Sequence, residues 1–374
     1  MVAAFVLTVV IWFFIKKIQS MSNFSYIKHH LEPYLYMSGN NMSRVLERCG
    51  WTTSSYVSQP WLNSGNSHFK LAIARAVPLS EDSYERELLL APNSSTISID
   101  WFNHPEEISK RFHGLLVVFA HCLNGSLLTT LINSALRRAG SHKLSVCVVT
   151  VQGTNGVALS SDETGMSLSF IIEFKAATDR INQHLGASFP KAAVACSIGG
   201  IPVVEFLEVD RSAYSSLILV SCPLDLGRFL VDENEVTDYL LSQGKQVLKD
   251  NADVLTRADI EEFSKATEAT NLHDFLAYTV SRPRDKQGLS FLLRNVDPYK
   301  SLDTIRKPTL MIYALDDESI QFTSSVDLIR LCRNTNIAVA VTEEGGHCGF
   351  QTLESDWLAE CICEFASSAS KPVL

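Results

Sequence analysis

The feature that most constrains the fold is a series of short, almost wholly apolar segments that alternate with amphipathic ones after residue 113. These apolar segments are 114–120, 145–151, 192–196, 215–221, 309–315 and 337–342. Between them, apolar residues recur at helical spacing, as in 127–136 and 168–185. Strands that are apolar along their whole length are buried on both faces, and intervening helices let neighbouring strands run parallel. The pattern predicts an α/β fold, in which a mostly parallel central sheet is covered by helices on both faces.

Two other stretches depart from this alternation. Residues 223–307 are polar and mostly helical in pattern. An insertion of roughly 80 residues is too long for a structureless loop, so we expect a helical cap, or lid, within a core domain at 113–374. Residues 21–112 include a hairpin pattern at 85–90 and 96–102, and we expect them to form an arm packed on that core.

The N-terminus carries a strongly apolar segment. Residues 1–15 hold no charge and only Thr8 as a polar side chain, and Lys16 and Lys17 follow directly. At about 1.5 Å per residue they span roughly 22 Å, short of the roughly 30 Å of a bilayer core, so an anchor, a secretory signal and an interfacial helix all fit. Because the positive charge follows the apolar stretch instead of preceding it, we favour an uncleaved single-pass anchor in residues 1–20.

The orientation of this anchor stays open. The positive charge after it favours a cytosolic catalytic domain by the positive-inside rule. Glycosylation sequons at Asn23, Asn41 and Asn93 permit the opposite orientation. The expected location is therefore a membrane of unassigned organelle, with the endoplasmic reticulum as one that fits.

Composition excludes several kinds of protein. Lys and Arg number 32 against 41 Asp and Glu, for a formal net charge of −9, which argues against a nucleic-acid partner. The nine cysteines are dispersed, and Cys361 and Cys363 are the only close pair. A disulfide scaffold and a zinc site are therefore not expected, and we predict neither a metal nor an organic cofactor. The sequence does not indicate the oligomeric state.

The sharpest motif is Val-Ala-Cys-Ser-Ile-Gly-Gly at 194–200, where an apolar strand meets a predicted helix. The G-x-S-x-G turn that exposes a nucleophilic serine needs small residues two before and two after it, because neighbouring backbone lies against those positions. Ala195 and Gly199 meet this need around Ser197, and Gly200 lets the helix start close to the sheet. A lone A-x-S-x-G is weak evidence, but its position between strand and helix makes Ser197 the candidate nucleophile.

Candidates for the acid and the base follow the last two apolar strands. A serine hydroxyl needs a base to take its proton and an acid to orient that base, in the chain order Ser, acid, His. The strand 309–315 runs into Asp316 and Asp317, and the next strand is followed by His347 in a glycine-flanked loop. We prefer Asp317 because it lies nearer the loop, and interpret Asp316 as a solvated or turn-capping carboxylate. The predicted triad is Ser197, Asp317 and His347.

An acyl-transfer site also needs N–H donors for an oxyanion. They come from the residue after the nucleophile and from the loop after an earlier strand. These rules predict the N–H groups of Ile198 and Leu123, with Gly125 freeing the second turn. Cys196 precedes the apex of the serine turn and should point into the sheet, so we interpret it as a core residue and not as a thiol nucleophile.

Further segments resemble family motifs. They are 61–70 with its Ser64-Gly65 and His68, the pair 84–88 and 99–102 (Y-E-R-E-L and I-D-W-F), Leu315-Asp-Asp317, and 345–350 (G-G-H-C-G-F). Together they resemble the AB hydrolase 4 family of the α/β-hydrolase superfamily. Carried over position by position, Ser197, Asp317 and His347 fall on that family's triad. The sequence departs from the family pattern at Ala195, at His121-Cys122 and at Gln152, which leaves the rate and the substrate range open.

The resemblance implies a serine hydrolase or acyltransferase acting on lipid esters, such as monoacylglycerols or phospholipids. We therefore expect a membrane-associated enzyme that cleaves lipid carboxylic esters, or transfers their acyl groups, through an acyl-enzyme. Its partners would be a lipid ester substrate and the bilayer. The alternative is a catalytically weak hydrolase fold that serves as a lipid-binding, receptor or scaffold protein. The presence of all three triad residue types favours the enzyme.

Overall fold

A computed structural model of the chain describes residues 33–38, 40–49, 56, 64–74, 76, 78–120, 125–159, 170–255, 260–280, 289, 293, 296–350 and 356–370. The predicted anchor at 1–20 lies outside these residues. Within them, no helix combines the length and the apolar character needed to cross a bilayer. The anchor therefore stays a prediction.

The described residues form one mixed sheet with helices on both sides. Its strands are β1 (Tyr34–Met37), β2 (Glu85–Leu90), β3 (Thr96–Trp101), β4 (Gly114–Ala120), β5 (Leu144–Val151), β6 (Lys191–Cys196), β7 (Ser216–Val220), β8 (Thr309–Ala314) and β9 (Ile337–Thr342). The helices are α1 (Asn40–Arg48), α2 (Gly65–Ala74), α3 (Pro105–Arg111), α4 (Gly125–Ala139), α5 (Ile171–Leu185), α6 (Gly200–Val209), α7 (Leu226–Val231), α8 (Glu235–Asp250), α9 (Ala252–Leu255), α10 (Ile260–Glu268), α11 (Leu272–Val280), α12 (Pro298–Thr304), α13 (Phe322–Ser325), α14 (Leu328–Leu331) and α15 (Trp357–Ala369). The strand order is β1-β9-β8-β7-β6-β4-β5-β3-β2.

The six predicted strands are β4 to β9, and each begins and ends within one residue of its predicted bounds. Every pairing among them is parallel. Their residues are buried throughout, because helices cover both faces of the sheet. The predicted α/β class with a mostly parallel central sheet is confirmed, and the carboxyl ends of these strands share one edge, called here the carboxyl edge.

The segment predicted as an arm packed on the core also extends the sheet itself at both edges. β2 and β3 form the expected hairpin, and β3 pairs antiparallel with β5. Arg86 of β2 donates two hydrogen bonds of 2.7 Å to the carboxylate of Asp100 on β3. At the other edge β1 pairs antiparallel with β9, with Tyr34 opposite Val341. β1 was not predicted, because it is a run of only four residues that alternate between exposed and half-buried positions.

A hydrophobic core lies on each face of the sheet. The side chains of Cys147 and Val149 on β5 join the core beneath α5 and α6. Those of Val146 and Val148 join the core beneath α4 and α15. Burial on both faces explains why these strands are apolar at every position, without the alternation expected of a strand with one wet face.

The described part of 223–307, the stretch predicted as a cap, is helical from α7 to α12. Contacts hold its first half against the carboxyl edge. Tyr239 of α8 packs edge-on against Phe69 of α2, with ring centroids 5.6 Å apart. The hydroxyl of Ser319, in the loop after β8, donates to the side-chain oxygen of Asn234 at 2.9 Å. These helices therefore lie next to the loops that follow the central strands.

Candidate active site

Ser197 occupies a sharp turn between a strand and a helix. β6 ends at Cys196, Ser197 has a φ of 51°, and α6 begins at Gly200. A positive φ strains a residue with a side chain, and such strain is typical of the turn that presents a nucleophilic serine. The turn is also tightly packed, because a Cβ on Gly200 would lie 2.5 Å from Sγ of Cys222. Ala195 is wholly buried, so the strand accommodates its methyl group.

The three predicted triad side chains form one hydrogen-bonded chain. Oγ of Ser197 lies 2.7 Å from Nε2 of His347, and Nδ1 of His347 lies 2.9 Å from Oδ2 of Asp317. The other oxygen of Asp317 accepts the N–H groups of Ser319 and Ile320. With Nδ1–H donating to the carboxylate, Nε2 is left as an acceptor facing the serine hydroxyl. The structure therefore places the candidate base and the candidate acid beside the candidate nucleophile, and all three side chains are buried.

The neighbouring carboxylate, Asp316, contacts the backbone before the base and not the imidazole. Its Oδ1 accepts the N–H of Gly346 at 2.8 Å. Its Oδ2 is buried and has no hydrogen-bond partner among the described residues. Burial raises the pKa of Asp316 to about 6, since an ionised carboxylate is poorly stabilised away from water. Asp317 is thus the carboxylate that reaches His347.

Helix α2 packs directly on the loops that carry the acid and the base. A Cβ on Gly65 would overlap the carbonyl oxygen of Asp316, and one on Gly346, which has a φ of 57°, would overlap the carbonyl oxygen of Gly65. Further along α2, the backbone of His68 lies close to Gly349. A Cβ on Gly349 would be only 2.8 Å from the carbonyl carbon of His68. Chemical reasoning from sequence missed these supporting residues. The signal that marked them was the Ser-Gly and His pattern of the family resemblance.

Two phenylalanine rings flank the imidazole of His347. Phe229 of α7 stacks on it, with centroids 6.2 Å apart and planes 28° apart. Phe69 of α2 meets it at a steeper angle, 63°, with centroids 6.3 Å apart. Both rings are buried, so they restrict the imidazole and keep water from it. No local sequence signal could have found them, because the fold brings them together from distant parts of the chain.

Of the two predicted oxyanion donors, Ile198 lies within the described residues. It belongs to the buried turn Ser197–Gly199, directly after the nucleophile. Leu123 lies outside the described residues, and Gly125 is the first residue of α4. The predicted second donor therefore comes from the connection between β4 and α4, and β4 is the neighbour of β6 in the sheet. The assignment of Leu123 stays a prediction.

The cysteines near the site are free thiols in the described residues. Cys196 is buried in the core beneath α4 and α15, in agreement with its interpretation as a core residue. Burial raises the pKa of the Cys348 thiol well above its usual value, which makes it a poor nucleophile. Within the part of the chain that the structure describes, no group of His, Cys, Asp or Glu side chains is arranged to hold a metal ion.

Comparison with known proteins agrees with this geometry. No family model matches the chain. Phospholipase ABHD3 of Mus musculus is 21% identical to it over 350 residues, covering 88% of this chain and 81% of that protein. That match spans most of the chain. The structure itself has a mostly parallel sheet, a serine on a strand-to-helix turn, and the chain order Ser, Asp, His, which together are the features of an α/β-hydrolase fold.

Solved structures similar to this chain include two that are named as enzymes. The Pyrococcus furiosus esterase Pf2001 has a TM-score of 0.45 and 11% identity, covering 71% of this chain and 83% of that one. A putative lipase from Acinetobacter baumannii has a TM-score of 0.43 and 16% identity, covering 79% and 92% respectively.

One departure of this chain from the pattern of the AB hydrolase 4 family has a visible structural role. Gln152 follows β5, and its side-chain oxygen accepts the N–H of Thr96 at 3.4 Å. Its amide nitrogen donates to the hydroxyl of Ser95, also at 3.4 Å. Gln152 thus joins the end of β5 to the turn of the β2–β3 hairpin.

Proposed function

We propose that the protein is a membrane-associated serine hydrolase that cleaves lipid carboxylic esters, such as monoacylglycerols or phospholipids, or transfers their acyl groups. The single observation that carries the proposal is the hydrogen-bonded chain from Ser197 through His347 to Asp317. Carboxylic ester hydrolysis is also the activity that fits the similarity to a phospholipase over most of the chain.

The proposed reaction begins at the serine hydroxyl. Nε2 of His347 takes the proton as Oγ of Ser197 attacks the ester carbonyl carbon, giving a tetrahedral oxyanion. The N–H groups of Ile198 and Leu123 stabilise that oxyanion. His347 then returns the proton to the leaving alcohol, and an acyl-enzyme ester remains on Ser197. Water or a second alcohol, deprotonated by the same nitrogen, takes the acyl group and restores the serine.

Asp317 serves this sequence without contacting the substrate. Its carboxylate holds Nδ1–H of His347, fixes the imidazole in the tautomer that leaves Nε2 as acceptor, and stabilises the imidazolium that forms. The N–H groups of Ser319 and Ile320 hold its second oxygen, so the carboxylate keeps one orientation. The acid is therefore fixed before substrate binds, and no reorganisation is required during proton transfer.

A lipid substrate is supported by three features taken together. The relative with the near full-length match is named a phospholipase. Helices lie against the carboxyl edge, where they can cover an apolar chain. The apolar segment 1–15 would bring the enzyme to a bilayer, where such substrates are dissolved. Hydrolysis and acyl transfer share the same acyl-enzyme and differ only in the acceptor admitted to the pocket.

The test is phosphonate labelling of Ser197→Ala beside a matched control, Ser216→Ala. Ser216 is fully buried in the neighbouring strand, and its hydroxyl has no hydrogen-bond partner among the described residues. Ser197→Ala should abolish labelling by an alkyl phosphonate and reduce ester turnover by about 10⁴-fold or more, whereas Ser216→Ala should retain both. Lipid profiling of membranes incubated with either variant would identify the substrate.

Two outcomes would reverse the proposal. Undiminished labelling of Ser197→Ala would remove this serine from the nucleophile role. A wild-type protein that is never labelled, yet binds lipid saturably, would favour the non-catalytic lipid-binding alternative.

A further inference from the structure

Asp316 lies at a contact between three backbone segments beside the base. Its Oδ1 accepts the N–H of Gly346 at 2.8 Å, and Gly346 immediately precedes His347. The backbone carbonyl oxygen of Asp316 faces Gly65, and the backbone carbonyl oxygen of Gly65 faces Gly346. Both contacts are so close that neither glycine has room for a Cβ. The loop that carries the imidazole is therefore fixed from one side by a carboxylate and from another by the start of α2.

The carboxylate of Asp316 is also costly to keep ionised. Its Oδ2 is buried without a partner among the described residues, and unpaired buried polar atoms destabilise a fold. Burial raises its pKa to about 6, with Asp317 and Glu344 adding repulsion and the Gly346 N–H opposing it. Tyr56, fully buried, is a further titratable group close enough to feel this charge. A neutral side chain at position 316 would destabilise the fold less than an ionised carboxylate does. The carboxylate therefore indicates a role other than stability.

We propose that Asp316 is a positioning residue for the base: its Oδ1 holds the Gly346 N–H and thereby sets the place of the His347 imidazole over Ser197. A charge-assisted hydrogen bond from an ionised carboxylate is stronger than one from a neutral acceptor. A small displacement of Nε2 from its 2.7 Å contact with Oγ slows proton transfer strongly, because such catalysis depends on alignment. This inference rests on the proposed serine-hydrolase function.

The experiment compares Asp316→Ala and Asp316→Asn with wild type, using a soluble ester for turnover and a phosphonate for the rate of serine labelling. Asp316→Ala removes the acceptor, so we expect kcat to fall about 10- to 100-fold while KM changes less than about 2-fold. Asp316→Asn keeps a neutral acceptor oxygen, as protonated Asp316 does, so its kcat should lie between those of Asp316→Ala and wild type. Labelling rates should follow kcat, because both report the reactivity of Ser197.

The pH profile supplies a readout that a merely structural role would not move. In wild type, kcat should fall as the pH drops through about 6, where Asp316 takes up a proton. Asp316→Asn should lack this step in its profile. Since ionised Asp316 is destabilised by burial, Asp316→Asn should also gain thermal stability at pH 8 relative to wild type, and this gain should shrink as the pH falls below about 6 and disappear below about 4.

Several results would overturn the proposal. Wild-type kcat in Asp316→Ala would show that the hydrogen bond does not position the base, and so would equal losses in Asp316→Ala and Asp316→Asn. If Asp316→Ala does not fold, the kcat and the pH profile of Asp316→Asn are the measurements that decide. If wild type itself neither turns over esters nor labels, the proposed function fails instead, and the two failures are distinguished.

Discussion

His68 is buried although it takes no part in proton transfer. Its side chain lies in α2, whose backbone packs on Gly349 just after the base. Burial lowers the pKa of His68 to about 4, because a charged imidazole loses solvation there. In the unfolded chain the same group takes up a proton near pH 6.5. The stability that comes from keeping His68 neutral is thus fully present above about pH 6.5 and is lost as the pH falls towards 4.

We therefore expect His68→Gln to lose less stability than wild type when the pH falls from 7.5 to 5. One differential proton changes the free energy of unfolding by at most about 1.4 kcal/mol per pH unit. Urea unfolding at both pH values measures the difference, and His113→Gln, which alters an exposed histidine, is the control. Identical pH slopes for wild type and His68→Gln would contradict the expectation.

Among the helices and strands, α7 makes the most direct contact between the predicted cap and the triad. Phe229 stacks on the imidazole of the base from that helix, while α8 rests on α2 through Tyr239 and Phe69. An exposed ion pair of 2.8 Å between Lys70 and Glu235 lies beside this contact and contributes little on its own. The aromatic contacts therefore couple the position of the cap to the order of the imidazole.

This coupling predicts that Phe229→Leu lowers kcat about 10-fold, because a smaller side chain frees the imidazole and admits water to it. Phe365→Leu, in the opposite core beneath α15, is the matched control. Both substitutions remove a buried ring, so each should lower the free energy of unfolding by about 1–3 kcal/mol. Ester turnover and thermal unfolding of the two variants separate the effects, and an equal loss of kcat in both would count against a specific role for Phe229.

The elements also show what sequence can and cannot foresee. β4 to β9 were predictable because strands buried on both faces are apolar at every position, a signal that needs no partner to be recognised. β1 was not, because it has only four residues and alternates between exposed and half-buried positions. Ser197, Asp317 and His347 could be chosen because each follows a recognisable strand in a fixed order. Phe69 and Phe229 could not, because their contacts with His347 arise only when distant segments meet.

At the scale of the whole molecule, the apolar segment 1–15 and the folded domain are separable in sequence. We expect a chain lacking residues 1–20 to move from the membrane pellet to the soluble fraction, since about 15 apolar residues provide most of the affinity for a bilayer. Phosphonate labelling of Ser197 should persist, because the described structure contains the triad without that segment. Sedimentation after a high-salt wash measures the first effect, and a truncated chain that stays in the pellet would show that another surface binds the membrane.

The pairing of β1 has a consequence for how such an enzyme would meet its substrate. β1 runs antiparallel to β9, so Tyr34, at the start of β1, lies opposite Val341 near the carboxyl end of β9. The chain thus enters the sheet at the carboxyl edge, beside the loops that hold Asp317 and His347. About 13 residues separate position 20 from β1, a tether of at most roughly 45 Å when extended. A bilayer holding the first 20 residues would therefore lie within this distance of the carboxyl edge of the sheet, where the triad lies.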